Sequence, residues 1–270
     1  MDDLVFQLEN VKFSYLGRFP ALCGIGMEIK RGEKLAILGA NGTGKTTLLE
    51  ILDGLIFADS GSVKFFGQEI NQQAFNDDFS RYFRSQVGLV FQNPEVQLFC
   101  PTVKEDIIFG PLQLGVPKEE IKKRLDSLVD IFDIKELLER MPHQLSMGEK
   151  RKVALASTLA IEPEVLILDE PTAGLDPHTA RHIVDIIIQA NAGGKTIITA
   201  THDLHIIEEI SDIVYVLNKD RRIARTGEPC ELLSDLDFLK ENNLIHIHRH
   251  RHKDKVHTHH HYHIDHHFEE

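Results

Sequence analysis

The chain has 270 residues, is 42% hydrophobic and carries a formal net charge of −12. That suits a soluble globular body of one large or two modest domains, and no apolar run approaches the roughly 20 residues of a membrane-spanning helix. Residues 1–243 hold 26 basic against 38 acidic side chains, so the whole net charge sits there and the basic footprint of a nucleic-acid binder is missing. The acidic start, MDDLVFQLEN, runs straight into an alternating apolar pattern, and no signal or transit peptide is expected. Cys23, Cys100 and Cys230 are odd in number and in no metal spacing, as inert thiols of a reducing cytosol would be.

Residues 1–80 read as strands joined by tight turns. Leu8, Val11 and Phe13 belong to an early strand region, and residues 34–38 form a short buried strand. Asp59-Ser60-Gly61-Ser62 is a turn that feeds a strand over 63–66, which Gly67 ends. Residues 103–162 are mostly helical. Within 118–140, Ile121, Leu125, Leu128, Ile131 and Ile134 make one amphipathic face, with Pro117 at the start and Pro142 beyond the end. From 163 to 226 the pattern alternates: strand 165–168, helix 177–190, strand 196–200, helix 205–211, strand 213–217. Near-continuous apolar strands alternating with helices argue for an α/β protein whose parallel sheet is covered on both faces. The last 25 or so residues are low in complexity and rich in histidine, and are expected to be disordered.

Gly39-Ala40-Asn41-Gly42-Thr43-Gly44-Lys45-Thr46 fits the phosphate-loop pattern G-x-x-x-x-G-K-[ST]. A strand runs into it, and a helix over 46–52, beginning Thr46-Thr47, runs out. Glycines let successive N–H groups face phosphate oxygens, and the helix N-terminus adds its dipole. Lys45 is then placed for the β- and γ-phosphates and the Thr46 hydroxyl for Mg²⁺. Val165-Leu166-Ile167-Leu168-Asp169-Glu170 is a buried strand ending in two carboxylates: Asp169 is expected to reach Mg²⁺ through water, and Glu170 to polarise the water that attacks the γ-phosphate.

Between these lies Leu145-Ser146-Met147-Gly148-Glu149, followed by a helical stretch. It resembles the signature of ABC-type ATPases, usually Leu-Ser-Gly-Gly-Gln, although Ser146 and Glu149 also make an ordinary capping box. Other motifs follow in that family's order. Tyr15 looks like the aromatic that stacks on adenine, and Gln92 like the glutamine that touches Mg²⁺ or the attacking water. Ala173-Gly174-Leu175-Asp176 resembles the loop at the dimer seam, and His202 the switch histidine at the γ-phosphate. The resemblance covers about residues 4–243. It implies a P-loop NTPase with a parallel core sheet, an antiparallel β subdomain and an α-helical subdomain inserted at about 81–162. It also implies ATP and Mg²⁺ as ligands and a second ATPase subunit, identical or paralogous, whose Ser146, Gly148 and Glu149 equivalents close over the nucleotide. Met147 and Glu149 depart from the usual glycine and glutamine; the second adds a negative charge beside a nucleotide. Ala173 stands where serine is frequent, which removes one possible hydrogen bond across the seam.

Val90-Phe91-Gln92-Asn93-Pro94-Glu95-Val96-Gln97-Leu98-Phe99 is similar to the ATPases of energy-coupling-factor importers, as is the stretch from Gly227 to Leu244. This implies transmembrane coupling and substrate-binding partners, no nucleic acid, and a place on the cytoplasmic face of the cell membrane. Eleven of the sixteen histidines lie in the tail: His246, His248, His250, His252, His257, His259, His260, His261, His263, His266 and His267. Imidazoles on a pliant chain suit Ni²⁺ or Co²⁺, which points to nickel or cobalt as the cargo. A solvated tail that binds metal adventitiously is the alternative; a purification tag fits poorly because Arg, Lys, Asp and Tyr interrupt the tract. A vitamin importer and a soluble ABC ATPase with a metal-binding tail are the rival functions.

Overall fold

The computed structural model describes residues 3–252 and 255–262, with the side chains of residues 3–245. The chain opens with β1 (Leu4–Tyr15), β2 (Phe19–Lys30), β3 (Lys34–Leu38) and α1 (Lys45–Leu52). Then come β4 (Ser60–Phe65), β5 (Gln68–Glu69), α2 (Asp77–Gln86) and β6 (Val87–Val90). Three helices follow: α3 (Val103–Gln113), α4 (Lys118–Phe132) and α5 (Met147–Leu159). The chain returns through β7 (Val165–Asp169), α6 (Pro177–Ala192), β8 (Thr196–Thr201), α7 (Ile207–Ile210), β9 (Ile213–Leu217) and β10 (Ile223–Gly227). It closes with α8 (Pro229–Ser234), α9 (Leu236–Glu241), β11 (Ile245–His252) and β12 (Lys255–Tyr262).

A six-stranded sheet in the order β10-β9-β3-β8-β7-β6 forms the centre, parallel throughout except for β10. Residues 35–38 of β3 and 165–168 of β7 are unbroken apolar runs because both faces are covered. Successive side chains leave on opposite sides. Val165 and Ile167 therefore join the core under the antiparallel sheet β2-β1-β4-β5, while Leu166 and Leu168 join the core beneath α5 and α6. The fold is the α/β ATPase architecture that the motifs imply.

Several boundaries differ from the periodicity. The helix expected over 118–140 stops at Phe132, because Asp133 takes a left-handed conformation (φ 52°) as its C-cap. Ile134 is still fully buried, reached from the turn beyond rather than from the helix face. The helix expected over 205–211 shrinks to one turn, α7. Strand β6, which has only four residues, forms the edge of the parallel sheet beside β7, and α2 has no counterpart in the apolar pattern. Residues 245–252 and 255–262, where the sequence suggests disorder, pair as an antiparallel ribbon, β11 with β12; an alternating apolar-polar run such as Ile245-His246-Ile247-His248 is compatible with strand. The side chains of the tail histidines 246–261 lie outside the described ones, and His263, His266 and His267 lie outside the described residues altogether.

Candidate functional site

Three strand ends build the site. β3 ends at Leu38 and passes into the glycine loop, β7 delivers Asp169, and β8 delivers Thr201 beside it; β7 and β8 pair in parallel with Asp169 opposite Ala200. Two of the loop's glycines, Gly39 and Gly44, have no room for a side chain, and Gly42 takes a left-handed φ of +81°. Gly44 has φ +101°, and a Cβ there would lie 2.4 Å from the Ala21 carbonyl oxygen. A Cβ on Gly39 would lie 2.6 Å from Thr43 Oγ1. Gly44 caps the N-terminus of α1, so the loop opens where that helix presents its unpaired N–H groups.

A cavity of about 480 Å³ lies over this junction, lined by Tyr15, Asn41, Gly42, Gly44, Lys45, Thr46, Thr47, Gln92, Asp169 and Glu170. The structure thus brings together residues of separate motifs expected to act together. Ala40 and Thr43 face the other side of the loop, beside Lys219 and Arg221. Ser146, Gly148 and Glu149 do not line the cavity. They sit at the start of α5, where Ser146 Oγ accepts from Glu149 N (3.3 Å) and the Glu149 carboxylate accepts from Ser146 N (2.7 Å). The bond to the Ser146 backbone outweighs desolvation and, with Arg140 at 3.8 Å, holds the Glu149 carboxyl below the usual range. The capping-box reading of this stretch is therefore realised, and Glu149 places its charge on its own helix N-terminus.

At the centre is Glu170. Its backbone is left-handed (φ 46°), an uncommon state for glutamate that aims the side chain off the strand end. Its carboxylate accepts from Thr201 Oγ1 (3.0 Å), bonds His202 Nδ1 (2.7 Å) and lies 3.6 Å from Lys45 Nζ. Burial pushes its pKa up, but the His202 bond and charge, with Lys45 and Thr201, outweigh that and leave it below the ordinary value. The result is a buried, ionised carboxylate. Lys45 donates to the Gly39 carbonyl (2.7 Å), curling onto its own loop.

Asp169 is different in character. Its Oδ2 accepts from Thr46 Oγ1 (2.7 Å), while its Oδ1 is buried with no hydrogen-bond partner. Burial raises its pKa and the Glu170 charge adds to this, against the Thr46 bond and Lys45. An orphaned carboxylate oxygen beside a hydroxyl is what a hard divalent cation would satisfy, so these residues fit Mg²⁺. Tyr15 is half exposed, and its hydroxyl is tied to Thr47 (3.0 Å) and Glu50 (3.1 Å), which props the ring at the cavity mouth.

Some lining residues belong to no sequence motif. Phe19 and Pro20 reach the cavity through the β1–β2 hairpin, where they pair with Tyr15 and Ser14, and Arg221 comes from a distant segment whose carbonyl accepts from Cys23 N (2.9 Å). Arg151, on α5, is only 2% exposed and donates to the carbonyls of Phe91 (2.7 Å) and Gln92 (2.6 Å). A basic residue in the buried stripe with Ala154, Leu155 and Thr158 is the one signal of it in the sequence.

A glycine loop on a parallel sheet, with an ionised carboxylate and a cation-ready aspartate at the next strand's end, defines a P-loop ATPase. Residues 22–173 match the model of the ABC transporter family. The chain is 44% identical over 244 residues to the nickel import ATP-binding protein NikO of Rhodobacter capsulatus, covering 89% of this chain and 95% of that one. It is 40% identical over 240 residues to the energy-coupling factor transporter ATP-binding protein EcfA of Methanothermobacter thermautotrophicus, covering 89% and 76%. Among solved structures, cbiO1 of Clostridium perfringens, part of the ABC transporter complex cbiONQ, superposes with TM-score 0.77 at 38% identity over 90% of this chain and 96% of that one. This chain belongs to the ABC transporter family as an ATP-hydrolysing, ATP-binding subunit. Among its described residues, no helix is long and apolar enough to cross a membrane.

Proposed function

We propose that this chain powers import of Ni²⁺ or Co²⁺ as the ATPase subunit of an energy-coupling-factor importer. It works on the cytoplasmic face of the membrane, bound to a transmembrane coupling subunit, in a dimer of identical or paralogous ATPases. The observation that carries the membrane partner is an apolar surface just beyond Gln92. Phe99 is 67% exposed and packs edge-on against Phe109 at 4.9 Å, and Val96 and Leu112 are exposed nearby. The relatives named for nickel import and for energy coupling support the cargo and the transporter class.

In the reaction, Mg²⁺ when bound supplies positive charge at the β- and γ-phosphates. Thr46, and Asp169 through water, would hold it, and Gln92 would touch it or the attacking water. Lys45 leaves the Gly39 carbonyl for the phosphate oxygens, and the loop N–H groups of residues 39–47 cradle the rest. Tyr15 stacks on adenine. Glu170 takes a proton from water as the water oxygen bonds Pγ and the bond from Pγ to the ADP oxygen breaks. His202 keeps Glu170 ionised and in place, and contacts the γ-phosphate side. Ser146 and Gly148 of a second subunit close the site. Glu149, engaged with its own helix start, adds a charge there that Arg140 offsets.

The tail histidines 246–267 bind the transported ion or a related one as it reaches the cytoplasm. Purification from native membranes tests the reading: a transmembrane subunit should co-purify, and vesicles of the complex should take up radioactive nickel or cobalt in an ATP-dependent way. Phe99→Ser should weaken that association. Stable isolation without a membrane protein would refute the importer. Another cargo of the same importer class is the second reading, favoured by the EcfA likeness, and uptake of neither metal by an intact complex would select it. Truncation after residue 245 should remove the tail's Ni²⁺ and Co²⁺ binding in calorimetry and leave Mg²⁺-dependent ATP turnover unchanged.

A further inference from the structure

Gln92 lines the nucleotide cavity, yet among the described residues its side chain makes no hydrogen bond, so its backbone alone places it. That backbone is held from α5. Arg151 Nη1 donates to Phe91 O at 2.7 Å and Nη2 to Gln92 O at 2.6 Å, across some sixty positions of sequence. Arg151 heads the fully buried side chains by volume, has no ion pair among the described residues, and leaves Nε without a partner. Its hydrogen bonds go only to those two carbonyls, and the charges of Asp169 and Glu170 only partly offset the burial that pulls its pKa down; an apolar side chain of that length would pack there without desolvating a charge.

Two further ties run from the same turn to the same helix. The Gln97 side chain accepts from Phe91 N (3.3 Å) and donates to Leu89 O (3.2 Å) and to Thr158 Oγ1 (2.9 Å) on α5. Lys150 pairs with Glu95. The turn over 89–97 and α5 are therefore fastened by Lys150, Arg151 and Thr158, and α5 begins at Ser146.

We infer that Arg151 is a positioning residue for ATP hydrolysis: it sets Gln92 at the cation edge of the chain's own site and locks it to the helix that carries Ser146 toward the partner's site. A shift of either end then moves the other. The inference rests on the role of Gln92 at the cation proposed above.

A double-mutant cycle on the full-length chain tests it, measuring kcat, the half-saturating Mg²⁺ concentration, Mg²⁺-free binding of a fluorescent ATP analogue and thermal unfolding for wild type, Gln92→Ala, Arg151→Gln and the double variant. Arg151→Gln should lower kcat by about tenfold or more, as for a misplaced catalytic contact, and raise the Mg²⁺ requirement several-fold. Mg²⁺-free nucleotide binding should not change. The double variant should be no slower than Gln92→Ala, because both changes remove one function. Arg151→Lys, keeping one of the two bonds, should fall between; it replaces Arg151→Gln in the cycle if that variant does not fold. If Gln92→Ala is slow but the Arg151 effects multiply with it, or the Arg151 variants keep wild-type kcat and Mg²⁺ dependence, this inference alone fails. If Gln92→Ala matches wild type in kcat and Mg²⁺ dependence, the reading of Gln92 fails, and this inference with it.

Discussion

Glu170→Gln isolates what the carboxylate does. Glutamine keeps the size and an oxygen that can accept from Thr201 Oγ1, so the left-handed turn survives and the change is mainly one of charge and basicity. A positioned general base contributes about 10²–10⁴-fold, equivalent to about 3–5 kcal/mol of barrier. Turnover should fall by that amount. Nucleotide binding should move the other way. The lost anion sits 3.6 Å from Lys45 Nζ in the cavity the phosphates must enter. A like charge about 5 Å from a phosphate costs roughly 3 kcal/mol at an effective dielectric near 20 before counter-ions screen it. After screening by Lys45 and Mg²⁺, the variant should bind Mg-ATP several-fold more tightly and accumulate as a closed dimer. Single-turnover phosphate release, equilibrium binding of a fluorescent ATP analogue and size-exclusion chromatography with ATP measure the three. Turnover within about threefold of wild type, in a folded protein, would show that another group takes the proton.

Other perturbations follow from particular contacts. His202→Ala removes the main influence holding the Glu170 carboxyl down while burial still pushes it up, so the acid limb of the hydrolysis profile should move from below pH 4.5 to higher pH; an unmoved limb would detach it from Glu170. Gly44→Ala puts a Cβ 2.4 Å from the Ala21 carbonyl at φ +101°, a conformation worth about 1–3 kcal/mol of strain for alanine, and should lower the melting temperature and abolish nucleotide binding. Phe83 is fully buried among Phe65, Phe75 and Phe79, and Phe83→Ala should cost about 3–5 kcal/mol in urea unfolding. Burial raises the Asp53 pKa to about 7 despite its 2.8 Å bond to Arg84. The folded state then holds a proton that the unfolded chain releases near pH 4, so this group's contribution is complete below pH 4 and declines as pH rises to 7. Asp53→Asn should flatten that part of the stability profile.

Much of the candidate site is legible in the amino-acid sequence because its chemistry is local. The glycine loop, the two acids after 165–168 and the histidine after 196–200 each sit at a strand end, and a short apolar run with polar residues at its close marks such an end by itself. The less legible parts have a common cause. Residues 87–90 are too few to show a period, and they become a strand only because β7 lies beside them. Asp133 ends α4 through a left-handed cap that apolar spacing does not encode. The seam between α5 and the turn after β6 depends on Arg151, whose partners are sixty residues away.

The chain's own sequence therefore determined the phosphate loop, the order of the motifs and the alternation of strand and helix, since these follow from neighbours a few residues apart. Only the tertiary structure decided that Glu170 is ionised in a left-handed turn against His202 and Lys45, that Asp169 keeps one oxygen open for a cation, and that Arg151 ties α5 to the carbonyls of Phe91 and Gln92. Those outcomes depend on which distant groups burial brings within about 3 Å, where a single charge-assisted contact outweighs any local preference.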